Sequence, residues 1–434
     1  TGENSFIRLS NDGGKTFVDT GVSGVHGEDH ALWIDPDNTN HLIIGGDGGV
    51  SISWDRGVTW DFRMNMPIGQ FYEIDVDNKI PFTVCGGLQD NGEWCVPSAV
   101  RDRNGIAARD AWNIGGGDGF YVKFDRADED YAYAESQNGA ASRVNLKTME
   151  RTSVRPTLAG TALRWNWDTP IIVSSADPKT IYMGAQILFR SHDQGKTWTA
   201  ISGDLTRHDP KTLGHSGGPI TGDMNGPEVY AVIFSVAPGK KNVNVIWTGS
   251  DDGLVHVTKD GGKAWANITP KDLPEFARVS QIDGSSFDDG TAYFSARRPL
   301  MDDKTPYLYR THDYGKTWTK IVNGIRADDW MHSIREDPTR KGLLYAAGQH
   351  GMYISYNDGD TWESLSLNLP DIPISDIVVE QNDLVISTHG RGFWVLDQIG
   401  PLRQYNAEVA AAPAAWLFAP PVAIRSTTPQ TFTY

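Results

Sequence analysis

The sequence predicts an all-β fold, a β-propeller of four-stranded antiparallel blades. Three observations carry that prediction: one octapeptide written six times, spacings that fall on a period in the forties, and a composition crowded with turn-formers. The copies read SNDGGKTF from Ser10, SWDRGVTW from Ser53, SHDQGKTW from Ser191, TKDGGKAW from Thr258, THDYGKTW from Thr311 and SYNDGDTW from Ser355. Their third positions are Asp12, Asp55, Asp193, Asp260, Asp313 and Asn357, spaced 43 to 138 residues apart. The longest step, 138, is three times 46, so two units between Asp55 and Asp193 keep the period and lose the motif. A period in the forties is a blade length. With 46 Gly and 23 Pro among 434 residues, yet 39% hydrophobic residues, the chain reads as many short strands joined by tight turns around a full core.

Each unit repeats one order: an alternating strand, a polar turn, a second strand ending in small residues, a third strand running into the octapeptide, and a short fourth. The stretch from Ala31 shows it as ALWIDPDNTN, HLIIGGDGG, VSISWDRG and VTWDFR. Radial repetition of such sheets manages their exposed edges. Units begin near Ala31, Phe71, Tyr121, Thr169, Val229, Val279 and Trp330, which makes seven blades, with eight as the alternative. The expected division is a partial blade over 1–21, a seven-bladed propeller over 22–370, a second partial blade over 371–402, and an Ala/Pro-rich linker over 403–434 toward a further C-terminal module. The first partial blade holds a third and fourth strand, the second a first, second and third, so the two do not join cleanly. A start at Thr1 reads as a mature or clipped piece of something longer.

Charge narrows the partners. A formal charge of -16 leaves no broad basic surface for phosphates, so nucleic acid is not expected as a partner. No membrane span is expected either: the nearest apolar stretch, Ala407 to Ile424, is broken by Glu408, Pro413, Pro420 and Pro421. Cys85 and Cys95 flank a glycine-containing hairpin; a cross-strand disulfide, implying an oxidising compartment, and two small buried thiols are the two readings.

The octapeptide itself reads as structure. Asp in a tight turn accepts backbone N–H bonds, Gly permits positive φ, Thr favours the outgoing strand and Trp packs between sheets. Trp60, Trp198, Trp265, Trp318 and Trp362 are thereby assigned to the fold. Alternating strand direction then puts the second-to-third-strand loops and the blade-to-blade loops on the opposite face. Those loops supply Gln89, Asp90, Asn91, Asp118, Glu135 and Arg391, and the patch Arg164-Trp165-Asn166-Trp167-Asp168, in which two indoles bracket an amide as a sugar-stacking platform would. The bland reading of that patch is one Trp in a blade interface and an arginine paired with a carboxylate. Asp90, Asp118 and Asp168 are the catalytic candidates, since glycoside hydrolysis needs two carboxyl groups roughly 5–9 Å apart. HGEDH, from His26 to His30, offers metal-ligand types, but short mixed clusters occur in loops without metal, and no metal or cofactor is expected.

The octapeptide resembles the Asp-box, or bacterial neuraminidase repeat. Over almost the whole chain the pattern is similar to the bacterial sortilin-type propeller proteins often labelled glycosyl hydrolases, through HALWIDPDNTNHL from His30, GGLQDNG from Gly86, GGGDGF from Gly115, LRWNWDTP from Leu163 and STHGRGFWVLDQIGPLR from Ser387. Related propellers occur in sialidases, tandem-propeller xyloglucanases and sortilin receptors, so the resemblance implies fold more than activity. The sialidase Arg-Ile-Pro start is absent, and a xyloglucanase-like site would need a second propeller to complete its cleft. The expected role is a secreted, periplasmic or cell-surface propeller that binds a polysaccharide or protein partner on its polar face within a larger multidomain protein. A glycoside hydrolase with paired carboxylates is the alternative.

Overall fold

The computed structural model describes residues 7–19, 25–214, 229–412 and 415–421. It is an all-β propeller protein, and it divides into two compact units, one of residues 1–68 with 102–111 and one of residues 69–101 with 112–434. Two sheets belong to the first unit: the hairpin of Arg8–Leu9 with Val18–Asp19, and the four-stranded sheet Asp29–Ile34, Leu42–Gly46, Gly49–Ser53 and Asp61–Phe62. Residues 1–6 and 20–21 of the expected fragment lie outside the described residues.

The second unit holds six four-stranded sheets and one of three strands, all antiparallel meanders. Their inner strands are Phe71–Val76, Gly119–Phe124, Ile171–Val173, Ile233–Pro238, Arg278–Gly284, Met331–Glu336 and Ile374–Val379. Each packs against the next in chain order, and Ile374–Val379 packs against Phe71–Val76, so the sheets close into a ring. Counting from Ala31 had left Ile374–Ile399 as a fragment. In the structure its strands Ile374–Val379, Leu384–Thr388 and Phe393–Leu396 are the three-stranded sheet of this ring, whereas the Ala31 sheet lies in the other unit. A sequence period gives the unit but does not say which copy closes on which.

Inner strands would expose their outward backbone edges, and side chains from the neighbouring sheet satisfy them. The Phe124 amide donates to Asp75 at 2.8 Å, the Ile334 amide to Gln281 at 3.0 Å, the Glu336 amide to Asp283 at 2.9 Å, and across the closure the Ile74 amide to Asp376 at 3.3 Å. Ser375 and Ser387 donate to the Phe71 and Tyr72 carbonyls at 2.7 and 2.8 Å. Second strands contribute a fully buried aromatic each at Tyr133, Tyr182, Trp247, Tyr293 and Tyr345, which fills the wedge between sheets. In the first sheet of the ring the second and third strands are joined by a disulfide between Cys85 and Cys95, directly opposed in register.

The octapeptides fold as their residue types require. In the copy at Ser191, Asp193 accepts from the Ser191 hydroxyl at 2.8 Å, the Thr197 amide at 2.8 Å and the Thr197 hydroxyl at 2.6 Å, and the Gly195 amide donates to Ser191 Oγ at 2.9 Å. These bonds, led by the Thr197 hydroxyl, hold the Asp193 carboxyl down at about 2. Asn357 keeps the geometry, its amide donating to the Thr361 hydroxyl at 2.8 Å. The box also reaches its neighbour: Trp265, Trp318 and Trp362 donate from Nε1 to the carbonyls of Ile201, Ile268 and Ile321 at 2.8, 2.7 and 2.9 Å. Gly315, at φ +76°, lies so close to Ile268 that a Cβ there would come within 2.4 Å of its Cδ1.

Trp362 is 4% exposed, so its truncation leaves a cavity and an orphaned Ile321 carbonyl. Trp362→Ala is expected to destabilise the ring by about 3–5 kcal/mol, read as a lower urea midpoint; a change under about 0.5 kcal/mol would mean that the box does not staple the sheets.

Candidate functional site

At the end of the ring where the inner strands begin, titratable side chains from six sheets converge on the axis. Tyr72 and Glu73 come from the first inner strand, Tyr121 from the second, and Asp168 from the segment entering the third. Arg278 begins the fifth inner strand and stands opposite Arg297 on the strand beside it. His332 lies on the sixth inner strand, while Asp376 and His389 belong to the three-stranded sheet and its loop.

Glu73 Oε2 and Asp168 Oδ1 are buried and meet no donor among the described residues. The two carboxyls instead act on each other's titration. Burial, then the Asp168 charge, raises Glu73 well above the usual carboxylate range. Burial raises Asp168 as well, opposed by its hydrogen bond with Glu73 and by Arg278 and Arg297.

Facing this pair is a cationic wall. Arg297 Nη1 lies 3.0 Å from His332 Nδ1, and His332 Nε2 lies 3.2 Å from Gln349. Burial, then the nearby Arg297 charge, pushes His332 well below its ordinary value and His389 down to about 4, so both imidazoles are neutral. Burial and Arg278 push Arg297 down to about 10, still charged at neutral pH. Among the described residues neither Arg278 nor Arg297 has a carboxylate within ion-pair distance. Further along the channel lies a cavity of about 670 Å³ in which three arginine and lysine side chains are paired with carboxylates. There Arg126 meets Asp75 at 2.8 Å, Lys240 meets Asp283 at 2.8 Å and Arg335 meets Asp376 at 3.0 Å.

Of the residues singled out from sequence, Asp168 alone sits in this cluster. Gln89 borders it, accepting from the Tyr72 hydroxyl. Asp118 accepts the Asp90 amide at 2.8 Å and the Gln137 side chain, and Glu135 accepts the amides of Gly139 and Thr169 at 3.1 and 3.3 Å. Both carboxylates tie loops together. Asp90 holds a left-handed backbone at φ 60°, and Asn91 donates to the Gln89 carbonyl at 2.9 Å.

Three of the five side chains in the RWNWD patch are turned to internal duty. Arg164 bonds the Ala231 carbonyl at 3.0 Å and Asp204 at 2.8 Å. Trp165 is buried against Phe189, and Asn166 is buried, donating to the Val229 carbonyl at 3.0 Å. A stacking platform built on Trp165 is not available, because its ring has no open face. Trp167 is half-buried, 6.2 Å from Phe120. Arg391 is exposed and bonds its own loop at the Gly390 carbonyl, away from the cluster. Tyr72, Glu73, Arg278 and His332 are not legible as site residues, since alternation along an inner strand reads as core packing. In the first unit, His30 of HGEDH bonds Asp47 at 2.6 Å.

The BNR-Asp box repeat profile matches residues 188–201 and 308–321. The chain carries that repeat. Among solved structures this Asp-box propeller is similar to the extracellular domain of BT4673 from B. thetaiotaomicron, 13% identical over 81% of this chain and 41% of that one, with a TM-score of 0.49. An ancestral GH74 enzyme is 13% identical over 85% of this chain and 53% of that one, TM-score 0.49. YCF48 bound to D1 peptide is 12% identical over 86% and 91%, TM-score 0.43. The propeller thus spans about two-fifths of the BT4673 chain. No match is found among curated protein sequences.

A second buried carboxyl carries a titration signature. Glu93 is buried with Oε2 unpaired, and burial, opposed by Arg151, pushes it up to about 8 from 4.5. The folded state keeps a proton that the unfolded chain has lost, so this group's contribution to stability falls as pH rises from about 4.5 through 8. Glu93→Gln is expected to flatten the fall in urea midpoint between those limits, and parallel profiles for the two proteins would refute the assignment.

Proposed function

We propose that the chain is a secreted or cell-surface Asp-box propeller, its ring running from Phe71 to Leu396, that binds an acidic group of a carbohydrate or protein partner at the mouth where Arg278 and Arg297 meet. One observation carries the reading: two guanidiniums side by side, partly buried, with no carboxylate in ion-pair distance among the described residues, whereas Arg126, Lys240 and Arg335 further along the channel are each paired. A buried charge without a partner is costly, and an arginine pair offers parallel donors that suit a carboxylate, sulfate or phosphate. The Asp168 carboxyl interacts with both guanidiniums without meeting either at ion-pair distance. Half-buried Trp167 and Tyr72 add aromatic surface nearby. Internal use of Asp118 and Glu135 favours binding over hydrolysis. The disulfide supports an oxidising compartment, and among the described residues no helix is long and apolar enough to cross a membrane.

Calorimetry with matched acidic and neutral oligosaccharides and peptides tests this. Acidic ligands should bind preferentially, and Arg297→Gln should weaken them by about 10–100-fold, with Arg297→Lys failing to restore affinity. Equal affinity for neutral and acidic ligands, or an Arg297→Gln variant that binds as tightly as the parent, overturns the reading.

A further inference from the structure

Six sheets of the ring end in a short outer strand; the seventh ends at Phe393–Leu396. The other sheets show what is missing. Outer strands pair at the second and third residues of the strand within: Ala200 and Thr199 with Phe189 and Arg190, Asn267 and Ala266 with His256 and Val257, Ser364 and Glu363 with Tyr353 and Ile354. The next residue, Ile201, Ile268, Ile321 or Leu365, then donates its amide to the carbonyl of Leu188, Val255, Leu308 or Met352, at 2.8–2.9 Å in every case. In the four ring sheets that carry the octapeptide, its Trp stands just before the outer strand and turns toward the preceding sheet. In three sheets its indole donates to the carbonyl of that same aliphatic position, at Ile201, Ile268 and Ile321.

Leu365 is the next member of that carbonyl series, and the sheet that should supply its indole is the three-stranded one. No described residue donates to the Leu365 carbonyl. In place of an indole there is an apolar groove lined by Met352, Leu365 and Leu367 on one side and Ile386, Trp394 and Leu396 on the other. The Trp394 Nε1 in that wall is itself buried without an acceptor among the described residues. Trp394 and Val395 stand where the paired residues stand in the other sheets, yet Phe393–Leu396 is half-buried throughout, whereas its counterpart Met352–Ser355 is fully buried.

We propose that this edge is a docking site for an extended peptide segment of a partner polypeptide with the pattern Trp-x-x-Ile/Leu, added antiparallel to Phe393–Leu396. The occupant's chemistry is set by what the chain places in the equivalent slots: Trp198-Thr-Ala-Ile201, Trp265-Ala-Asn-Ile268, Trp318-Thr-Lys-Ile321 and Trp362-Glu-Ser-Leu365. The guest indole donates to the Leu365 carbonyl, the middle residues pair with Trp394 and Val395, and the aliphatic residue donates its amide to the Phe393 carbonyl. Main-chain bonds supply affinity and the indole slot supplies selectivity.

A fluorescein-labelled peptide of residues 315–322, GKTWTKIV, measured by anisotropy against the whole chain, tests the proposal. Saturable binding is expected, weakened by about tenfold or more when the peptide Trp is replaced by Ala. Leu367 is 70% exposed in the groove wall, so Leu367→Asp should weaken binding without shifting the thermal midpoint. Absence of binding, equal binding of the Ala peptide, or full binding to Leu367→Asp at unchanged stability would each overturn it.

Discussion

The constraint on which this ring depends is the outward backbone edge of every inner strand. A sheet edge carries unpaired N–H and C=O groups, and leaving them unmet in a packed interior costs more than most single contacts return. Here the edge is met by side chains from the adjacent sheet, and Asp75, Gln281, Asp283 and Asp376 each accept an amide from the strand beside them. Bonds between a charged acceptor and an amide contribute about 1.5–3 kcal/mol each, and they work only if sheets stand at a fixed spacing and rotation. Closure at Ile374–Val379 against Phe71–Val76 uses the same device, with Ser375, Ser387 and Asp376 reaching the first inner strand.

The Asp-boxes act at the opposite radius. Their carboxylates bond within their own eight residues, which shapes the turn, and their indoles reach the previous sheet, which sets the spacing. One motif thus does a local and a long-range task, and its repetition makes the outer rim as regular as the inner one. At the three-stranded sheet, which lacks the motif, no outer strand is present among the described residues and the neighbouring groove is unfilled.

The channel chemistry follows from the same geometry. Inner strands that serve closure point their remaining side chains at the axis, so acidic and basic groups accumulate in a space with little water. Carboxyls there either pair with a cation, as Asp376 does with Arg335, or are pushed upward by burial, as Glu73 and Asp168 are. The Arg278–Arg297 pair takes neither course among the described residues. It owes its position to being directly opposed across two antiparallel strands, a relation that keeps like charges together only where something else is gained.

The sequence by itself determined the repeat, its blade length, the all-β class and the structural use of the box residues, because each box makes its defining bonds within eight consecutive positions. Local chemistry is legible in local sequence. It also placed Cys85 and Cys95 across one hairpin, where short-range register decides. Tertiary structure alone decided which sheets close on one another, that the Ile374–Leu396 sheet completes the ring, and that Trp165, Asn166 and Arg164 are used internally. It also brought Tyr72, Glu73, Asp168, Arg278, Arg297 and His332 to one axis across more than 250 residues of chain. The physical reason is that a strand's alternation tells which side chains leave one face but not what the next sheet puts opposite them. In a ring that opposite wall belongs to a different part of the chain.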